Sequence, residues 1–291
     1  MDSFYVTLPS NVKSNLNNTV AKYQTKLASR KELYGKWEVG LFSISYTKSW
    51  YNIPEEERIT FYYFESPVKI EKISQSVIIP KGNYISIDNL LDSIRDQINE
   101  IALSVKIDLP QFELNEISNK IEIKLTHYKN SLILPGITKN LANILGFNNT
   151  NLITFVYNVF ENYKSQYYDN INNNTNQTKW KLPKQTNQIL EYYAEQPYDL
   201  CGKYRTILVS TDIIEQSNVG KDSFQLLGCV EIPNNAKFGE QILINYSNIQ
   251  YIPLQTHDFQ YINIELIDEN RDLIPFQFGR SIIVLHFRKI I

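Results

Sequence analysis

Apolar and polar positions alternate every second residue near both ends of the chain, and every third or fourth residue only in its middle. Phe4-Tyr5-Val6-Thr7-Leu8 stops at Pro9-Ser10-Asn11, which predicts a strand followed by a turn. Trp37, Val39 and Leu41 share one face of the next alternating run, and the apolar phase then passes to Phe42, Ile44 and Tyr46. A phase slip beside Gly40 predicts a β-bulge there. Residues 58–64 are apolar on both faces and predict a strand covered on both sides. From about Glu191 alternation returns, with strands expected over 204–211, 223–231, 241–246, 259–267 and 281–288. The middle differs. Ser86 stands as a helix N-cap, and Leu90, Leu91, Ile94, Ile98 and Ile101 follow at helical spacing. A strand pair over 111–114 and 120–125 comes next, then a short helix over 137–145 that Gly146 ends.

The pattern predicts a mainly β protein, a sandwich or jelly roll with an α+β domain inserted between strands. Residues 1–66 and 190–291 form the discontinuous β domain, and 67–189 the insertion. Within the insertion, 170–176 is Asn-rich and reads as an exposed loop.

Composition narrows the function. The 291 residues are 43% hydrophobic and 21% charged, a globular balance, with a net charge of -2. So even a balance gives no bulk attraction for nucleic acid or an anionic membrane. The N-terminus lacks the pattern of a signal peptide, and no apolar run approaches a membrane span, so a soluble protein made in the cytoplasm is expected. Sequons at Asn17, Asn148, Asn173, Asn176 and Asn245 then carry no established chemistry. Two cysteines, Cys201 and Cys229, exclude a disulfide framework and read as small buried hydrophobes.

Few residues stand at spacings that carry chemistry. Gly220-Lys221-Asp222-Ser223 fails as a phosphate loop because Glu215 and Asp222 occupy required positions. Asp268, Asn270 and Asp272 imitate the start of a calcium loop, but Leu273 and Gly279 stand where Gly and Glu are needed. His127, His257 and His286 are scattered, and His286 alternates with Ile282 and Val284 as a packed residue would. Asp88, Asp92, Asp96 and Glu100 recur every four residues as the solvated face of the helix. No catalytic residue, cofactor site or metal site is named. One basic stretch, with Lys13, Lys22, Lys26, Arg30, Lys31 and Lys36, reads first as a solvated loop. Its second reading is a segment facing a polyanion or an acidic neighbouring subunit. Twenty Tyr and fourteen Phe exceed the needs of one core; they either line the two sheet faces or point toward assembly or binding.

Several blocks, in order, resemble one family. They are Met1 to Leu8, Tyr34-Gly35-Lys36-Trp37-Glu38-Val39-Gly40-Leu41 and Ser49-Trp50-Tyr51-Asn52. Gly82-Asn83-Tyr84-Ile85-Ser86 and Leu141-Ala142-Asn143-Ile144-Leu145-Gly146-Phe147 follow in the middle. Residues 207–220, Tyr251-Ile252-Pro253, Ile262-Asn263-Ile264-Glu265-Leu266 and Pro275-Phe276-Gln277-Phe278-Gly279, running on to Arg288, complete the set. Together they resemble the minor capsid (penton) proteins of Polinton/Maverick elements and of virophages related to mavirus. The resemblance implies a single jelly roll forming homopentamers at the fivefold vertices of an icosahedral virion. Trimers of a double jelly-roll major capsid protein would be the partners, and the insertion would project outward as an upper domain. It implies no enzyme activity and no cofactor, and it makes Gly35, Gly40, Gly146, Trp37 and Trp50 residues of the fold. The alternative from another class is a carbohydrate- or receptor-binding jelly roll, with Trp180 near Tyr192 and Tyr193 stacking on sugar.

Overall fold

The computed structural model describes residues 2–11, 17–66, 69–128, 131–148, 190–201 and 204–290. The expected Asn-rich loop, Lys13, Trp180, Asn173 and Asn176 lie outside the described residues, as does the side chain of His127. The chain divides into two compact units, Met1–Tyr51 with Lys203–Ile291, and Asn52–Gly202.

In chain order the first unit opens with β1 (Ser3–Pro9), β2 (Lys22–Glu32) and β3 (Trp37–Thr47). The second unit holds β4 (Glu57–Ser66), β5 (Lys69–Ile79), α1 (Ile87–Val105), β6 (Gln111–Asn115), β7 (Lys120–Tyr128), β8 (Ser131–Ile137), α2 (Lys139–Ile144) and β9 (Leu190–Tyr193). The first unit resumes with β10 (Thr206–Thr211), β11 (Ser217–Val219), β12 (Asp222–Phe224) and β13 (Leu226–Glu231). It ends with β14 (Gln241–Asn245), β15 (Tyr251–Pro253), β16 (Asp258–Ile267) and β17 (Ser281–Lys289).

The first unit is a jelly roll. One sheet runs β1-β17-β3-β14, with β15 also on β3, and the other runs β13-β10-β16-β2, every pair antiparallel. Its eight principal strands, counted along the chain, therefore stand as 1-8-3-6 and 5-4-7-2, the double Greek key of that fold. Alternation places Val6 and Leu8, Val39 and Leu41, Ile283, Leu285 and Phe287 on the inner face of the first sheet. Ile207, Val209, Val230, Ile262, Ile264 and Leu266 come from the second sheet into the same core. The bulge lies two residues beyond its expected place. Leu285 pairs with Leu41 and Val284 with Ser43, so Phe42 is the extra residue, and it returns Ile44 and Tyr46 to the core. Gly40 has a different role: a Cβ there would stand 2.5 Å from the Gln250 carbonyl oxygen, so the chain before β15 passes over it only because it is glycine.

The second unit packs α1 against a sheet ordered β5-β4-β8-β7-β6, with β9 also on β7. Leu90, Leu91, Ile94 and Ile98 of the helix share a core with Ile59, Phe61, Val77 and Ile79. Ser86 caps the helix as expected, its hydroxyl accepting from the Asn89 amide at 3.2 Å. The second helix is shorter than expected, because Ile137 still belongs to β8. Gly146, at φ +85°, ends it while the amide of Phe147 donates to Ala142 O at 2.8 Å and that of Gly146 to Asn143 O at 3.1 Å.

The structure departs from three expectations in this region. The units part after Tyr51 and after Gly202, not after residues 66 and 189, because β4 pairs with β5 on one side and β8 on the other. Over residues 57–62 that strand is buried on one face, at Glu57, Ile59 and Phe61, with Arg58 exposed and Thr60 and Tyr62 half-buried. The region 223–231 is two strands, split at Gln225, whose side chain turns inward to donate to Asp212 O and Ile214 O.

Candidate functional site

An aromatic row crosses the outer face of the first jelly-roll sheet. The pairing Tyr5–His286–Gly40–Tyr251 sets one residue from each of β1, β17, β3 and β15 side by side. Their inner-face neighbours are the core residues, so parity alone sends these side chains outward. Tyr5 stacks on His286 with ring centroids 4.4 Å apart, and Phe42, displaced by the bulge, meets Tyr5 edge-on at 5.0 Å. The Tyr251 hydroxyl and His286 Nδ1 are 2.6 Å apart. In the adjoining row Arg288 lies over the Tyr251 ring, 3.5 Å from its centroid, and pairs with the Glu38 carboxylate. Partial burial, and then the nearby Arg288 charge, hold His286 below the ordinary histidine pKa. Tyr5 remains 56% exposed. The patch has the aromatic and arginine content of an interface, with a charged pair at its rim.

The basic stretch is a strand, not a loop. Tyr23 and Thr25 of β2 face the core, and the cations find partners across the pairing with β16. Lys22 pairs with Glu265 at 2.7 Å, and Arg30 forms a two-pronged pair with Asp258. Lys26 lies 5.7 Å from the centre of the Tyr261 ring, and Lys31 5.6 Å from that of Phe4. Much of the charge offered to a polyanion is thus matched within the sheet. The remaining polar feature of this sheet is a cleft of about 430 Å³ lined by Asn18, Gln24, Asp212 and Asn263. Asn263 donates to both Asp212 oxygens and accepts from Gln24, so these groups bind one another.

The other singled-out residues take structural places. The Asp268 carboxylate accepts from the Asn270 and Asp272 amides, both at 2.9 Å, and so closes its own turn. Among the described residues, no group of three His, Cys, Asp or Glu could hold a metal ion. Gly220 and Lys221 form the two-residue link of the β11–β12 hairpin, with Gly220 at φ +62°. Asp88, Asp92, Asp96 and Glu100 lie exposed along α1. Tyr192 stacks on Phe147 and bonds Glu195, whereas Tyr193 is exposed and donates to Glu191 at 2.8 Å. The cysteines depart from expectation: Cys201 is half-buried and Cys229 is exposed, because β13 is an edge strand and residue 229 points away from the core. Trp37 and Trp50 are buried as expected. Sequence reasoning missed Tyr5, Tyr251 and Arg288; the signal was aromatic residues at the outward parity of strands whose other parity is apolar.

The chain matches no family model and no curated protein sequence. In fold it is similar to the crystal structure of selenomethionine-labelled mavirus penton protein, over 100% of both chains, at 9% identity and a TM-score of 0.51. At that identity the likeness speaks for the fold, a jelly roll with an inserted unit. No helix among the described residues is long and apolar enough to cross a membrane.

Proposed function

We propose that this chain is a minor capsid (penton) protein that forms homopentamers at the fivefold vertices of an icosahedral virophage capsid. Trimers of a double jelly-roll major capsid protein are its neighbours, and Asn52–Gly202 is the upper domain that projects from the vertex. The observation that carries this reading is the full-length likeness to the mavirus penton protein, which spans both the jelly roll and the inserted unit. The outward aromatic row supports it, because five weak contacts closed in a ring reinforce one another. The role is structural and non-enzymatic, and the protein works in the virion after synthesis in the host cytoplasm.

Cryo-electron microscopy of particles co-expressed with the major capsid protein tests the proposal. Five copies at each vertex are expected. Closed particles without this chain at the vertices reject it and favour a carbohydrate- or receptor-binding jelly roll.

A further inference from the structure

The two flanks of the jelly roll are built differently. One carries the edge strands β1 and β2, joined where the Tyr23 hydroxyl donates to Leu8 O at 3.2 Å. The other carries β13 beside β14 and β15, joined where the Tyr246 hydroxyl donates to Cys229 O at 3.1 Å. An open edge presents unpaired amides and carbonyls, and soluble proteins guard such edges with charge. The β2 edge is guarded by Lys22, Lys26, Arg30 and Lys31. By contrast β1 has no charged residue, and β13 has only Glu231 at its end. On β1 the pairing runs through Asp2 and Ser10, with Lys289 donating to Asp2 O and Ser10 to Ser281 O. Strand alternation then turns the backbone groups of Ser3, Tyr5 and Thr7 toward the open side.

The second flank holds a complementary feature. An apolar slot of about 450 Å³ opens there, lined by Leu41, Leu226, Leu227, Tyr246, Ile252 and Cys229. Tyr5 and Tyr251 belong to one row of the sheet, so the middle of β1 and the strand beside the slot lie at the same height along the strands. Rotation about an axis near the strand direction preserves that height, as closure of a ring requires. Charge agrees. Lys26 and Lys31 on the first flank lie over aromatic rings, and among the described residues neither they nor the exposed Glu215 and Glu231 near the slot form an ion pair.

We propose that successive copies of the chain join through these flanks, the uncharged edge of β1 in one seating against the slot beside β13 and β15 in the next. The inference rests on the penton reading and names its contact.

Cys229 makes the contact testable. In a Cys201→Ser background, Ser3→Cys and Thr7→Cys are made separately and oxidised at mildly alkaline pH, because desolvation by neighbouring groups holds the thiol of exposed Cys229 above its ordinary pKa. Each chain then carries one thiol on each flank. The expected result is a disulfide ladder ending at the closed ring, with about tenfold more linked chain than the parent bearing Cys229 alone. The parent itself links no further than a pair. Mass photometry of the same samples, and crosslinking within co-expressed particles, separate the failures. A ring that forms while neither variant gives a ladder overturns the flank assignment and leaves the pentamer standing. Monomers in solution together with empty vertices overturn both.

Discussion

At the scale of single residues, Gly40 and Gly228 make an informative pair. Both lie within the jelly roll, in strands of opposite sheets. A Cβ on Gly40 meets the backbone of Gln250, which cannot yield without moving β15, whereas a Cβ on Gly228 meets Leu41 Cδ2 at 3.4 Å, an ordinary contact. Gly40→Ala is therefore expected to cost about 1–3 kcal/mol by overpacking. Gly228→Ala should stay within about 0.5 kcal/mol. Denaturant midpoints check this, and equal losses would show that the crossing over Gly40 is soft. His286 supplies a pH dependence. Its folded pKa is depressed, so the unfolded chain binds the proton first as pH falls, and stability present above the unfolded value declines below it. The groups facing the ring are Tyr5, Tyr251 and Arg288. The jelly roll should lose stability between about pH 7 and pH 5, and His286→Phe should flatten that slope. The same variant loses the Tyr251 hydrogen bond, at about 1 kcal/mol near neutrality. An unchanged slope would assign the acid sensitivity to other groups.

Elements differ in how plainly the sequence announces them. Helix α1 was legible from its cap through its buried stripe, because local chemistry and tertiary burial agree there, whereas its end at Lys106 carries no glycine to announce it. Ser86→Ala should cost about 1 kcal/mol, and Ser86→Asp should restore most of it, as measured by unfolding of the second unit. Strands β1, β3, β16 and β17 were legible because each has one apolar face. β2 was not. Its core contacts are few, Tyr23, Thr25 and Leu27, and its cations suggest a solvated loop until β16 supplies Glu265 and Asp258 opposite them. The candidate surface was less legible still. Alternation marks which residues face outward, but the meeting of Tyr5, His286 and Tyr251 depends on the order β1-β17-β3 with β15, which no local pattern contains.

For the whole molecule, the decisive feature is the presence of two separate cores. One gathers Trp37, Tyr46, Trp50 and Phe287, and the other Phe61, Phe112, Phe147 and the helix face. The sequence pointed to an insertion but misplaced its limits, since β4 follows β3 as one more apolar strand-like run while pairing only within the second unit. Cooperativity follows shared burial, so each core is expected to melt as its own unit. Calorimetry of the full chain should then sort variants by address. Gly40→Ala lowers the transition of the jelly roll, and Ser86→Ala that of the inserted unit. A shift of about 2–4 °C per kcal/mol in a unit of this size makes the assignment readable. If both variants move one common transition, the two cores unfold together, and the inserted unit then contributes to the stability of the jelly roll. If they move separate transitions, a change in the inserted unit leaves β1, the slot and the aromatic row intact. Assembly of Ser86→Ala should in that case match the parent, whereas Tyr5→Ala should assemble poorly while melting near the parent temperature. That pair of outcomes divides folding from assembly within one chain.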